Sequence, residues 1–246
     1  MIPIKNKGEI EKIRKASRIT SELLFLLGKE ICPGITTLEL DRIAFNFIKR
    51  KGAEPAFKGY RSYPATLCTS VNGEVVHGIP SSIELKEGDI VGIDAGVGFD
   101  HYYGDSTRTF SVGKISSEAS RLLKTTREAL NLGIKKAVVG NRVSDISYAI
   151  GSHVEKKGYS VVREFVGHGI GRELHEEPEI PNFGSPGQGS FLRSGMVFAI
   201  EPMVNMGKKE IKILKNGWTA VTSDGKPSAH FEDTVLIGED GPEVLT

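Results

Sequence analysis

The sequence predicts an α+β protein built from two related halves. Three observations carry that prediction. Helical periodicity recurs in paired segments, strand-like runs follow each pair, and the order of two helices then strands occurs twice, with the junction near residue 112. The halves span about 1–112 and 113–246, with no residue-level repeat and no linker between them, so the 246 residues read as a single domain.

The first helix carries Ile10, Ile13, Leu23, Leu24 and Leu27 on one face, with Asn6 and Glu9 spaced as a capping box and Gly28 as its stop. Pro33-Gly34 makes a turn, and Thr36 with Glu39 caps a second helix that carries Leu40, Ile43, Ala44 and Phe47 and ends near Gly52. Strands are expected at Ala65–Val71, Asp89–Val97 and Thr107–Val112. In the second half, Ser117–Val139 is helical and Ser144 is expected to cap a further helix ending near Gly158. Strand-like runs follow at Tyr159–Phe165, Met196–Glu201, Ile211–Leu214, Trp218–Val221 and Thr234–Ile237, and the Pro- and Gly-rich stretch Glu177–Gly189 reads as a surface loop.

Composition excludes several classes. Hydrophobic residues make up 39% and charged residues 26%, enough apolar material for a core. A net charge of +1 gives no electrostatic case for sequence-specific nucleic acid or an anionic membrane. Cys32 and Cys68 fit neither a zinc knuckle nor a disulfide framework, which points to a reducing cytoplasm. No run approaches the roughly 20 apolar residues of a membrane span, and the N-terminus has no apolar signal core.

The chemistry-bearing residues are Asp94, Asp105, His168, Glu201 and Glu232. Asp94 ends the apolar run Ile90–Ile93, and Glu201 follows Met196–Ile200 and precedes Pro202. A carboxylate beside buried-type strand residues needs a cation, hydrogen bonds or a metal. Gly104-Asp105 alone reads as a turn. The glycines of Gly167-His168-Gly169-Ile170-Gly171 let the backbone approach a ligand closely and present one imidazole. Together, four carboxylates and an imidazole form an oxygen-rich set suited to two divalent ions that share bridging carboxylates and activate a water. The sequence has no His-Glu-x-x-His motif, Gly-x-Ser-x-Gly elbow, P-loop or dinucleotide fingerprint.

In order and spacing, these residues resemble the ligand set of the type I methionine aminopeptidases. Val76-His77-Gly78-Ile79-Pro80, Glu9–Arg14 and His175-Glu176-Glu177-Pro178 extend the resemblance across nearly the whole chain. It implies the pita-bread fold, two pseudo-symmetric αβ halves around a central antiparallel sheet, and a single catalytic peptidase domain over residues 1–246 in its short bacterial form. It further implies a cytoplasmic, monomeric hydrolase that removes initiator methionine before a small second residue, using a water bridged between two metal ions. Manganese, iron and cobalt fit such a site best, and zinc also fits. The implied partners are nascent polypeptide N-termini, with the ribosome a candidate partner. By the same resemblance, Asp94 chelates one ion, Asp105 and Glu232 bridge both, and His168 and Glu201 hold the second. Glu201 also shuttles a proton, His77 stands near the substrate amine, and His175 bonds the scissile carbonyl.

Tyr60, Tyr63, Trp218 and Met203 match pocket residues. The pocket departs from the pattern at three positions: Phe57 stands where many bacterial relatives carry Cys, Leu174 where they often carry Phe, and His230 where Gln is frequent. Two other readings compete: a proline-specific peptidase of the same fold, and a metal-free binding protein built on it. The bulky Ile2 suggests that such an enzyme leaves its own Met1 in place.

Overall fold

A computed structural model describes residues 2–246; Met1, and with it the expectation of its retention, lies outside the described residues. Helix α1 (Lys7–Glu30) starts on the expected box, in which the Asn6 side chain accepts from Glu9 N–H and the Glu9 carboxylate accepts from Asn6 N–H. Helix α2 (Thr37–Arg50) starts on the equivalent box of Thr36 and Glu39. Such caps are each worth about 1 kcal/mol. The first half then adds β1 (Glu54–Pro55), β2 (Leu67–Val71), β3 (Glu74–Val76), β4 (Ile90–Phe99) and β5 (Tyr102–Ser111). The second half repeats the order: α3 (Ser117–Lys136) and α4 (Val143–Lys156), then β6 (Ser160–Val161), β7 (Gly167–Gly169), β8 (Glu176–Ile180), β9 (Val197–Ile200) and β10 (Met203–Asn205). It closes with β11 (Ile211–Ile213), β12 (Ala220–Thr222), β13 (Ser228–His230), β14 (Asp233–Ile237) and β15 (Pro242–Val244).

Two antiparallel sheets carry the architecture. In the first, β4 pairs with β5 on one side and with β2 and β1 on the other. The second has the order β15-β14-β9-β7-β8. They join where Thr107 of β5 bridges Glu232, just before β14. Thr234 ties the same seam, accepting from Asp105 N–H and donating to Asp105 O through its hydroxyl. One apolar cluster lies between α1, α2 and β4 and includes Leu23, Leu27, Leu40, Ile48, Val91 and Ile93. A second lies between α3, α4 and the other sheet and includes Leu122, Ile146, Ile150, Phe198 and Val235. Full burial of one such side chain contributes roughly 1.5–3 kcal/mol, so each helix pair is fixed to its own sheet. The two sheets meet at the polar seam between them.

Three local expectations are corrected. Helix α4 begins on Arg142, whose N–H donates to the Asp145 carboxylate, while Ser144 exchanges hydrogen bonds with the Gln188 backbone and staples a loop instead of capping. The stretch Glu177–Gly189 is not all loop: Glu176–Ile180 forms edge strand β8, where Pro178 is tolerated. Asp105 lies inside β5, because the turn of that hairpin is Asp100-His101, both at positive φ.

Candidate metal centre

The five carboxylate and imidazole residues come from five separate segments and meet at one cavity of about 280 Å³ on the sheet seam. Asp94 comes from the middle of β4 and Asp105 from β5. His168 comes from β7, Glu201 from the residue after β9, and Glu232 from the residue before β14. One ligand atom from each of Asp105, His168 and Glu232 lies within 4.8 Å of the others. His168 Nε2 is 3.5 Å from Glu201 Oε1, and Thr107 Oγ1 donates to Glu232 Oε2 at 2.8 Å.

The Gly-His-Gly segment works by close packing. A Cβ on Gly167 would sit 2.5 Å from Ala199 O, and one on Gly169 would run into the Glu177 carbonyl. The glycines therefore admit the neighbouring strands, not a ligand. A bulge between His168 and Gly169 turns the imidazole inward. His168 Nδ1 lies 2.9 Å from Gly169 O and donates to it, which leaves Nε2 as a lone pair facing the carboxylates.

The electrostatics demand a cation. Burial pushes Asp94 up to about 6, partly offset by His230. Asp105 is held well above the carboxylate range by burial and then by Glu232, Asp94 and Glu201. Glu201 and Glu232 rise for the same reasons, burial first and neighbouring carboxylates second. Burial lowers His168 to about 4, so its imidazole is neutral, the form a metal needs. Asp94 Oδ1 and Asp105 Oδ1 are buried with no hydrogen-bond partner. Orphaned oxygens, mutually repelling carboxylates and a free imidazole lone pair fit divalent cations, whose charge would satisfy all of them.

A pH signature follows. Buried carboxylates with raised pKa values bind protons in the folded chain that the unfolded chain has released. The metal-free protein therefore loses stability as pH rises from the ordinary carboxylate range through the raised values. The cavity histidines act oppositely, because burial lowers His77, His168 and His230 to about 4 and His175 to about 3. Their contribution is complete above the ordinary histidine value of about 6.5. Relative to metal-loaded protein, chelator-treated protein should therefore lose Tm as pH rises from the ordinary carboxylate range through the raised values. A constant Tm difference between the two across that range would remove the carboxylate cluster as its cause.

His77 and His175 reach the same cavity. His77 sits at φ 58, a strained conformation for a non-glycine residue, and packs edge-on against Phe165 and Trp218. His175 stacks on Tyr60 and lies 2.9 Å from its hydroxyl through Nδ1. Phe57 lines the cavity. Tyr60 and Trp218 pack on the cavity histidines His175 and His77, and Tyr60, Tyr63, Leu174 and Trp218 share one apolar cluster with Phe57. Tyr63 is 3% exposed, its hydroxyl within 3.0 Å of the Leu67 and Gly78 carbonyls, and it packs edge-on against Trp218. Leu174 is buried in the cluster that holds Phe57 and Tyr63. Met203 is buried with Val75, Val76 and Ala220.

Cys68, Val76, Phe165 and Val166 on the wall escape sequence reasoning, whereas His230 is already singled out by it. Cys68 faces Asp94 across the β2–β4 register. His230 lies two residues before Glu232, and the period of extended backbone puts both on one face, a signal available in the sequence. Its Nε2 is buried without a hydrogen bond, 3.3 Å from Glu201 Oε2. Phe165, Val166 and Val76 complete the apolar wall.

Phe57 owes its place to Gly96, since a Cβ there would lie 2.6 Å from its ring. Phe57→Cys should widen the wall and admit longer first residues. The shift in kcat/KM between first residues should be modest, because a methylene is worth about 1–3 kcal/mol. Identical first-residue profiles for the two proteins would show that the ring does not meet the substrate.

Fold and site together define a metal-dependent peptidase, and the family comparison agrees. The model for metallopeptidase family M24 matches residues 11–239, and the chain belongs to that family. Within it, the chain is 57% identical to a methionine aminopeptidase of Clostridium perfringens, over 100% of this chain and 99% of that protein. It superimposes on the crystal structure of methionine aminopeptidase from Thermotoga maritima with a TM-score of 0.99 at 46% identity, covering 100% of this chain and 99% of the other. The prolidase from Pyrococcus horikoshii shares the fold at a TM-score of 0.80 and 27% identity, and the match covers 99% of this chain but 63% of the prolidase. These neighbours bear out the pita-bread architecture expected from the sequence.

Proposed function

We propose that this chain is a metal-dependent methionine aminopeptidase that hydrolyses the first peptide bond of nascent polypeptides with a small second residue. The observation that carries the proposal is the meeting of Asp94, Asp105, His168, Glu201 and Glu232 at one buried cavity with unpartnered carboxylate oxygens. These residues would hold two divalent ions, with manganese, iron or cobalt the best matches to the donor set and zinc a further fit. When bound, such ions activate water and polarise a carbonyl.

The remaining work falls to the chain's own residues. Glu201 has a raised pKa and an oxygen facing the cavity, so it can take a proton from the attacking water and deliver it to the leaving amine. His175 is neutral. With the Tyr60 hydroxyl donating to Nδ1, its Nε2–H is free to donate to the carbonyl oxygen as charge develops there. His77, also neutral, stands at the wall where the substrate amine enters. Phe57, Val76, Phe165 and Val166 supply an apolar lining suited to a methionine side chain. Tyr60, Tyr63, Leu174, Met203 and Trp218 complete the substrate pocket around that lining. The whole chain acts as one catalytic domain. It works as a monomer in the cytoplasm, in keeping with its two free cysteines. Among the described residues, no helix is long and apolar enough to cross a membrane.

The test is methionine release from Met-Ala-Ser and Met-Gly-Met-Met after chelation and re-addition of each metal, with Leu-first and Met-Pro peptides as controls. Cleavage confined to a bond preceding proline would favour the prolidase reading suggested by the shared fold. No cleavage with any metal would refute both.

A further inference from the structure

We infer that Lys5 is a positioning residue for His175: the segment before α1 is a strap whose buried ammonium clamps, through Glu176, the loop that carries this histidine. The inference rests on the proposed aminopeptidase chemistry only for the role of His175.

Lys5 is 7% exposed, rare for a lysine, and its ammonium pairs with the Glu176 carboxylate, whose side chain is 10% exposed. A buried ion pair holds only if its remaining polar atoms are satisfied. Glu176 meets that condition by closing the loop itself: its Oε1 accepts from Arg172 N–H at 2.8 Å and from Glu173 N–H at 3.3 Å. One carboxylate thus binds both ends of the segment that presents Leu174 and His175. The strap in turn is anchored to the sheet side, with Lys5 N–H donating to Gly195 O at 2.8 Å. A second tie follows at the helix cap, where Glu9 Oε1 accepts from Tyr102 OH at 2.9 Å and faces Arg172 Nε at 3.3 Å.

The clamp leaves no spare room. A Cβ on Gly171 would lie 2.5 Å from Lys5 Nζ and 2.9 Å from Glu176 Oε1, so glycine there is the space the ion pair occupies. Gly171 O also accepts from Tyr103 N–H, which fastens the start of the loop to β5. On its other side, His175 bonds Tyr60 and packs beside His168. Its ring is therefore set between Tyr60 and a loop whose backbone is fixed by Glu176 and Lys5. A catalytic donor displaced by about 1 Å can cost about 10²-fold in rate.

The experiment compares Lys5→Met, Lys5→Met/Glu176→Gln and Gly171→Ala with wild type and with Lys51→Met, which removes the exposed pair with Glu22. Metal content, Tm, kcat, KM and amide exchange of residues 171–177 are measured on each full-length protein. Lys5→Met should lose stability, because the Glu176 carboxylate is left without its counter-charge. The double variant should recover it, because Gln can still accept the two loop N–H bonds. In all three clamp variants kcat should fall about 10–100-fold, with KM and metal content unchanged and faster exchange in residues 171–177. Lys51→Met should match wild type. Unchanged exchange, faster exchange with unchanged kcat, recovery of kcat together with Tm in the double variant, or an equal loss in Lys51→Met would each overturn the clamp. A wild-type protein without aminopeptidase activity would sink the functional reading instead, and the exchange measurements would still decide whether Lys5 holds the loop.

Discussion

Asp105→Asn is expected to lower turnover by roughly 10³-fold or more, beyond the 10²–10³ of a lost hydrogen-bond donor, while making the metal-free protein more stable. The two effects have one cause. Asp105 is 4% exposed, and its Oδ1 has no partner. Burial and the adjacent Glu232, Asp94 and Glu201 charges oppose its ionisation. An amide of nearly the same shape removes that repulsion, and its N–H groups can donate to the neighbouring carboxylates. Without metal, at a pH above the histidine range, Tm should therefore rise, each kcal/mol appearing as about 2–4 °C in a chain of this size. With metal the order reverses. The amide carries no charge to hold a cation, so metal should no longer raise Tm as it is expected to in wild type. Metal titrations followed by Tm and by calorimetry give both signs at once. A variant with wild-type activity and metal content would end the assignment of Asp105 as a ligand. One destabilised without metal would show that the carboxylate is paired in a way the geometry does not contain.

The sequence was most legible where the physics is local. Both first-half capping boxes form as read, because Asn6 with Glu9 and Thr36 with Glu39 satisfy helix N–H groups within a few residues. Ser144 does not cap for a non-local reason: its hydroxyl finds the Gln188 backbone 44 residues away, and no local spacing announces that. Asp105 looked like a turn residue, but the actual turn is taken by Asp100 and His101, leaving Asp105 to face the seam from mid-strand. The candidate ligands were legible as unusual polar residues beside apolar runs. Their convergence was not, since β5 meets the segment before β14 through a bridge between residues 125 apart. Pocket residues are least legible: the Tyr63 hydroxyl is taken up by backbone carbonyls and Met203 is fully buried, neither of which composition announces. Whether a side chain lines a cavity or supports it depends on strand register, which composition does not encode.

His175→Ala is expected to lower kcat by about 10²–10³-fold, the range for removing one donor to a developing oxyanion, and to leave metal content as in wild type. The separation follows from where the ring sits. His175 lies beside His168, ring centroids 4.3 Å apart, but it is bound to Tyr60, whereas His168 is turned toward Glu201. Burial, helped by His168 and Arg61, lowers His175 to about 3. It is therefore neutral throughout the working range, and its loss should scale kcat evenly across pH without moving the inflections of the profile. Tyr60→Phe provides the partner test. Without the hydroxyl to fix the tautomer, a share of the ring presents a lone pair instead of N–H, so kcat should fall less than in His175→Ala. Adding Tyr60→Phe to His175→Ala should then cost little more, because the tyrosine acts through the ring it orients. Loss of metal in His175→Ala would make this histidine a ligand. Full additivity of the two substitutions would mean that Tyr60 reaches the substrate by a route of its own.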